Sequence, residues 1–312
     1  MSAPPLRTVG QELRELRGRL AAAGVPTPAV DAELLLRHVT GWGRARLLTA
    51  AGDPLPPGLT ARLEALAARR VTREPLQLLV GTVGFRHLEL TVRPGVFIPR
   101  PETETLAGEA ISRTPAGGVV LEACTGSGAV ACAVADEVPG GALVIATDRS
   151  PEAVALARVN AAHCGVAVDV RLGDLLAPVD RTLRGRVDVV VANPPYLADD
   201  ELGDLEPEVR RWDPPSALVA GPSGHELSDR LIAAAPAWLR PGGWLLLEVD
   251  QRRAQECAAR AVRRGLTEVL VVPDLAGRER VVAARWQPRG FRPEATGGSG
   301  GRGGAGGPEA RR

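Results

Sequence analysis

Three hundred and twelve residues, 45% of them apolar, exceed what one hydrophobic core usually organises and are too apolar for a disordered chain, so a sizeable domain with a smaller companion is expected. Cations and anions nearly cancel, 38 against 37 for a net charge of +1, which excludes the global positive field that drives sequence-independent binding to nucleic acid. Cys124, Cys132, Cys164 and Cys257 form no Cys-x-x-Cys pair, and apolar stretches stay too short to cross a bilayer, which argues against structural zinc, a disulfide framework, export or membrane spanning and for a soluble cytoplasmic protein.

The N-terminal region reads as helices. Val9, Leu13, Leu16 and Leu20 fall on one stripe of a helical period. Thr27-Pro28 predicts a helix start, a hydroxyl cap followed by proline at the first helical position, with Val30, Leu34, Leu35 and Val39 on the buried face. Pro54, Pro56, Pro57 and Gly58 break the chain before a third stripe of Leu59, Leu63 and Leu66. Strand-like runs at 78–80 and 88–92, around Gly81 and Gly84, predict a hairpin joining the two domains. Beyond it, strands are expected at 119–121, 143–146, 168–172, 187–192, 244–249, 267–272 and 280–284, with helices at 129–138 and 151–163. Such alternation predicts a mostly parallel, doubly wound sheet. After Gln287 the composition turns to glycine and arginine, which predicts a flexible tail.

Glu122-Ala123-Cys124-Thr125-Gly126-Ser127-Gly128 follows a strand and opens a helix, the place where glycines let a backbone approach a bound nucleotide. Asp148 ends the next strand, 20 residues after Gly128, where a carboxylate accepts hydrogen bonds from ribose hydroxyls. Nicotinamide cofactors and S-adenosylmethionine both meet these requirements. The loop lacks a phosphate-binding fingerprint and a Gly-Lys-Ser/Thr ending, so S-adenosylmethionine is the preferred reading. It also gives Glu122 a role beside the cationic methionine portion.

The apolar run 187–192 leads directly into Asn193-Pro194-Pro195-Tyr196 at what is expected to be the carboxyl edge of the sheet, where open α/β sheets bind ligands. Two prolines fix the backbone and remove two donors, Asn193 supplies a side-chain acceptor and Tyr196 a flat face. That array suits a planar NH2 group, either a carboxamide or the exocyclic amine of adenine. Accepting both N–H hydrogens, from the Asn193 side chain and the Pro194 carbonyl, favours attack by a nitrogen whose lone pair is otherwise delocalised. No metal is demanded.

With these motifs the chain resembles the protein-(glutamine-N5) methyltransferases that modify peptide chain release factors. The resemblance covers roughly residues 5 to 287. It is carried by Gly95-Val96-Phe97-Ile98-Pro99-Arg100-Pro101-Glu102-Thr103-Glu104, the glycine loop, Asp148, the Asn193 tetrapeptide, Ala217-Leu218 with Gly221, and Pro241-Gly242-Gly243 before the strand ending in Glu248. It implies a class I S-adenosylmethionine-dependent methyltransferase, Rossmann-like and seven-stranded: a helical substrate-recognition domain at 1–75, a β-hairpin linker at 76–94, a catalytic domain at 95–287 and a disordered tail at 288–312. It implies as substrate the glutamine of the Gly-Gly-Gln motif of bacterial-type release factors, met by a monomer with no direct nucleic-acid partner. Phe97 and Arg100 to Glu104 are implied to border the pocket, Asp148 to hold the ribose, and Asp174 and Leu175 to flank the adenine.

The chain departs from the family at Cys124, where the first glycine of the loop is usual, and at Glu122, where aspartate is common. These departures leave a divergent paralogue with another glutamine target, or a binding module without catalysis, as alternatives. An adenine-N6 nucleic-acid methyltransferase is a further one, disfavoured by the near-neutral charge.

Overall fold

The computed structural model describes residues 7–288; the expected glycine-rich tail, apart from Pro288, lies outside them. The helical region begins with α1 (Val9–Ala22), whose start is fixed by a reciprocal cap: the Thr8 hydroxyl accepts from the Gln11 amide and the Gln11 side chain accepts from the Thr8 amide. α2 (Pro28–Thr40) begins with proline as expected. Thr27, however, does not cap it; its hydroxyl donates to Asp31 at 2.7 Å. The buried face of α2 is Ala32, Leu35, Leu36 and Val39, while Val30, expected inside, is exposed.

α3 (Arg44–Thr49), α4 (Pro57–Val71) and α5 (Leu76–Val80) complete the helical unit. Val9, Leu16, Leu20, Leu35, Leu36 and Leu63 form its core. Periodicity does not predict α3, because six residues show too little of a helical period to read. Residues 78–80, predicted as strand, instead end α5, a single turn entered after Pro75 and stopped by Gly81 at φ +87°. Short apolar runs do not distinguish a strand from a buried helical turn.

The hairpin therefore starts later than expected, pairing β1 (Thr82–Phe85) with β2 (Leu88–Thr91) in antiparallel register. Its buried Phe85 and Leu90 pack with Leu106, Val130 and Val189, so the hairpin belongs to the core of the larger domain. Asn160, fully buried, exchanges two hydrogen bonds with the Thr91 backbone and donates to the Ser127 carbonyl. One side chain thus joins hairpin, helix and glycine loop.

The larger domain runs α6 (Thr103–Arg113), β3 (Gly118–Ala123), α7 (Ala129–Glu137), β4 (Ala142–Asp148), α8 (Pro151–Cys164), β5 (Val168–Leu172), β6 (Val187–Ala192), β7 (Leu197–Ala198), α9 (Pro207–Trp212), β8 (Val219–Gly221), α10 (Glu226–Trp238), β9 (Leu239–Glu248), α11 (Ala254–Arg263), β10 (Thr267–Pro273) and β11 (Glu279–Arg285). Seven strands form one sheet in the order β10-β11-β9-β6-β3-β4-β5. Neighbours from β9 to β5 are parallel, and β11 is antiparallel to both β9 and β10. The expected doubly wound, seven-stranded architecture is therefore present. Every residue of β6 is buried, as a central strand covered on both faces requires.

Two pairings set the geometry of the carboxyl edge. Ala123 of β3 lies opposite Ala192 of β6, and Ala192 lies opposite Leu247 of β9. The glycine loop, the Asn193 tetrapeptide and Glu248 therefore leave the sheet side by side.

Candidate active site

The loop after β3 is held by its own backbone and by the neighbouring strand. The Thr125 amide donates to the Thr147 carbonyl at 3.0 Å and the Gly128 amide to the Thr125 carbonyl at 2.9 Å. Gly128, at φ +83°, is needed for packing: a β-carbon there would come within 3.0 Å of the Ala157 β-carbon. Gly126 is different. Its β-carbon would meet nothing within 4 Å, and it lines a cavity together with Glu122, Cys124, Thr125, Ser127 and Asp148.

Asp148 accepts the Gly126 amide on one oxygen and the Ser150 amide on the other, both at 2.9 Å. Each oxygen retains a lone pair, so the carboxylate braces the loop and can still accept from a ligand. Glu122 is buried and accepts the Thr125 hydroxyl at 2.6 Å. Burial pushes its carboxyl up to about 8, against the hydrogen bonds from Thr125 and Ala131. Cys124 stands at φ +58°, the left-handed region that the family's glycine occupies without strain. Burial, reinforced by Asp148, pushes its thiol up to about 12.

Across the cavity the tetrapeptide is steered by Leu218, whose carbonyl accepts the amides of Tyr196 and Leu197 at 3.2 and 3.0 Å. β7 and β8 then pair in parallel. Asn193, Pro195 and Tyr196 line the cavity; Pro194 is buried and lies outside the lining. Burial raises the Tyr196 phenol well above its usual range, so it is neutral at physiological pH.

The segment before α6 forms a further wall, through Phe97, Pro99 and Thr103. Arg100 does not line the cavity as the resemblance implied. It pairs with buried Asp213 and stacks over the Phe97 ring, 5.1 Å from its centroid. Glu102 pairs with Arg278 at 2.6 Å, and Glu104 accepts the Arg86 amide at 2.9 Å. These charged neighbours hold the segment in place, while Phe97 and Thr103 face the space. Asp174 and Leu175 both line the cavity; Asp174 pairs with exposed Arg230, and Leu175 stands at φ +47° with its carbonyl accepting the Thr147 hydroxyl at 2.6 Å.

Asp213 carries no sequence signal, and the motifs that contain Thr103 and Glu248 did not show that these two residues meet Asn193. Asp213 also accepts from the Ile98 amide, and nothing local marks it. Thr103 accepts from Asn193 Nδ2 at 3.3 Å across 90 residues. Glu248 is buried at the end of β9, with burial pushing its carboxyl up to about 7. Its place at the end of the run Leu245-Leu246-Leu247, after the Pro241-Gly242-Gly243 turn, marked it in the sequence. Among the described residues no group of side chains is arranged to hold a metal ion, and no helix is long and apolar enough to cross a membrane.

Comparison with known proteins assigns both halves. The family model described as the PrmC N-terminal domain matches residues 11–81, and the methyltransferase small domain matches residues 90–205. The release factor glutamine methyltransferase of Cereibacter sphaeroides is 43% identical over 275 residues, spanning 88% of this chain and 96% of its own. That of Mycolicibacterium smegmatis is 45% identical over 270 residues, spanning 85% and 93%. A methyltransferase crystal structure from Pyrococcus furiosus shares the fold, with a TM-score of 0.50 at 18% identity over 72% of this chain and 96% of that one. With identity of this level along nearly the full length of such relatives, the chain belongs to the release factor glutamine methyltransferase family.

Proposed function

We propose that this protein transfers the methyl group of S-adenosylmethionine to the side-chain amide nitrogen of a protein glutamine, that of the Gly-Gly-Gln motif of peptide chain release factors. The observation that carries this reading is the convergence of the glycine loop and Asn193, Pro195 and Tyr196 on one cavity, from strands adjacent in the sheet. The residues fit the cofactor: Gly126 leaves open space, Asp148 keeps free lone pairs for ribose hydroxyls, and Glu122, whose carboxyl burial pushes up to about 8, would be drawn to its charged form by a cation bound beside it. Asp174 and Leu175 flank the adenine in this reading, and Cys124, Thr125, Ser127 and Gly128 complete the cradle.

When bound, the cofactor supplies an electrophilic methyl carried on a sulfonium. The protein's task is then to present an amide nitrogen, a poor nucleophile, in line and without water. Asn193 Oδ1 accepts one of its two N–H hydrogens and stabilises the positive charge that builds on the nitrogen; the Pro194 carbonyl, expected to accept the other, belongs to a buried residue outside the cavity lining. Phe97, Pro195 and Tyr196 give apolar faces that orient the planar carboxamide. The helical N-terminal unit would help to grip the factor, which the enzyme meets as a cytoplasmic monomer.

Two substitutions separate binding from chemistry. Asn193→Ala is expected to lower kcat by about two to three orders of magnitude while calorimetric affinity for S-adenosylmethionine stays near wild type. Asp148→Ala is expected to weaken that affinity first. Wild-type turnover in Asn193→Ala, or unchanged affinity in Asp148→Ala, removes the residue concerned from its assigned role.

A further inference from the structure

We infer that Thr103 and Glu248 are positioning residues that hold the Asn193 amide with its NH2 group turned into the protein and its carbonyl oxygen left for the substrate nitrogen. The inference rests on the proposed role of Asn193 as acceptor. It starts from register: Ala192 and Leu247 are partners across β6 and β9, so the next residues, Asn193 and Glu248, emerge together. Thr103, at the start of α6, closes the group from the third side. Thr103 and Glu248 are both buried, and Glu248 lies outside the cavity lining.

A count of protons decides which end of the amide faces which way. An ionised carboxylate only accepts, a hydroxyl has one hydrogen to give, and a primary amide has two hydrogens and one acceptor oxygen. Glu248 stands beside Thr103 and Asn193 at the end of the neighbouring strand, and its Oε2 is buried with no partner of its own. The Thr103 oxygen accepts from Nδ2 at 3.3 Å, which leaves its own hydrogen free to turn toward the Glu248 carboxylate. The NH2 end is thereby turned inside, toward Thr103 and the buried, unpartnered Glu248 oxygen, and Oδ1 is the polar end left at the cavity that Asn193 lines. Flipping the amide would set Oδ1 against a carboxylate in a buried site, an arrangement with no hydrogen between acceptors and a full desolvation cost. Burial pushes the Glu248 carboxyl up to about 7, against the nearby Arg280 guanidinium, so the carboxylate form that this count uses is the one present above that pH.

The test compares Glu248→Gln, Thr103→Val and Thr103→Ser in the full chain, measuring kcat and KM with a release factor, cofactor affinity by calorimetry, and thermal unfolding. Glu248→Gln brings a competing NH2 group, and Thr103→Val removes the acceptor. Each is expected to lower kcat by about 10- to 100-fold, with cofactor affinity within about twofold of wild type, whereas Thr103→Ser keeps wild-type turnover. Because both act through Asn193, adding Glu248→Gln to Asn193→Ala should cost nothing more. Wild-type turnover in Glu248→Gln, or a further loss of the same size in the Asn193→Ala background, overturns the inference.

A readout without turnover separates this from the functional reading. In a 15N-labelled sample the Asn193 side-chain NH2 resonance, assigned by its loss in Asn193→Ala, should be protected from solvent exchange and lose that protection in Glu248→Gln. An exchange-exposed NH2 in the wild type overturns the positioning, while a protected NH2 in a protein that fails to methylate release factors overturns only the function.

Discussion

Cys124 carries a β-carbon at φ +58°, where an L-residue costs about 1–2 kcal/mol relative to the right-handed region. Glycine would relieve that strain but gain entropy in the unfolded chain, a loss of about 0.4–1 kcal/mol. Cys124→Gly is therefore expected to raise unfolding free energy modestly, by about 0.5–1 kcal/mol, in denaturant titrations; a lower midpoint would show that the thiol's packing outweighs the backbone strain. Glu122 makes a pH-dependent contribution. Its folded carboxyl, raised to about 8 by burial, contributes stability that is present below its unfolded value near 4.5 and lost as pH rises through 8. Glu122→Gln removes the cost of the buried charge, so its melting temperature should exceed wild type at pH 9 and lose that advantage at pH 4; a pH-independent difference would refute the assignment. Glu122, Asp148 and Asn193 were legible in the sequence because each sits just beyond or at the end of an apolar run, where a sheet presents its carboxyl edge. Asp213 and Asn160 were not, because their partners Ile98 and Thr91 lie 115 and 69 residues away.

At the scale of elements, the helical unit is tied to the catalytic domain by a buried ionic cluster. Arg70 on α4 donates to Asp31 on α2 at 2.7 Å and to Glu208 on α9 at 2.9 Å, and Arg73 adds a second contact to Glu208. Arg70 and Asp31 are almost fully buried, so Arg70→Ala leaves the Asp31 carboxylate without its cation, while Glu208 keeps Arg73, and should destabilise the protein by about 3–5 kcal/mol. A loss under about 1 kcal/mol in calorimetric unfolding would mean that the cluster is hydrated. α9 ends immediately before Asp213, which holds Arg100 and the Ile98 amide. The same short helix thus connects the N-terminal unit with the wall that carries Phe97. The strand 187–192 was legible to the residue because a strand buried on both faces is a continuous apolar run, and 168–172 because an edge strand alternates apolar and polar residues between turns. α3 and α5 were not, since at six and five residues their conformation is set by neighbouring proline, glycine and tertiary burial rather than by periodicity.

For the molecule as a whole, what matters is which strands become neighbours. Alternation along the chain predicts a parallel sheet, but only the order β9-β6-β3-β4 brings Glu248, Asn193, Glu122 and Asp148 to one edge. That order is invisible to local pattern, and the motif resemblance, which implied a seven-stranded Rossmann-like sheet, named no order either; it is seen only in the fold. The proposed chemistry depends on this gathering, since the loop proposed to hold a nucleoside and the acceptor proposed to hold a planar amide are of use only together. The most direct measurement is incubation of the purified protein with methyl-labelled S-adenosylmethionine and a cognate release factor, beside a factor whose Gly-Gly-Gln glutamine is changed to alanine, followed by peptide mass mapping. Label confined to that glutamine, and absent from the alanine form, is the predicted result. Label on another residue, or none from a protein that binds the cofactor, would contradict the account.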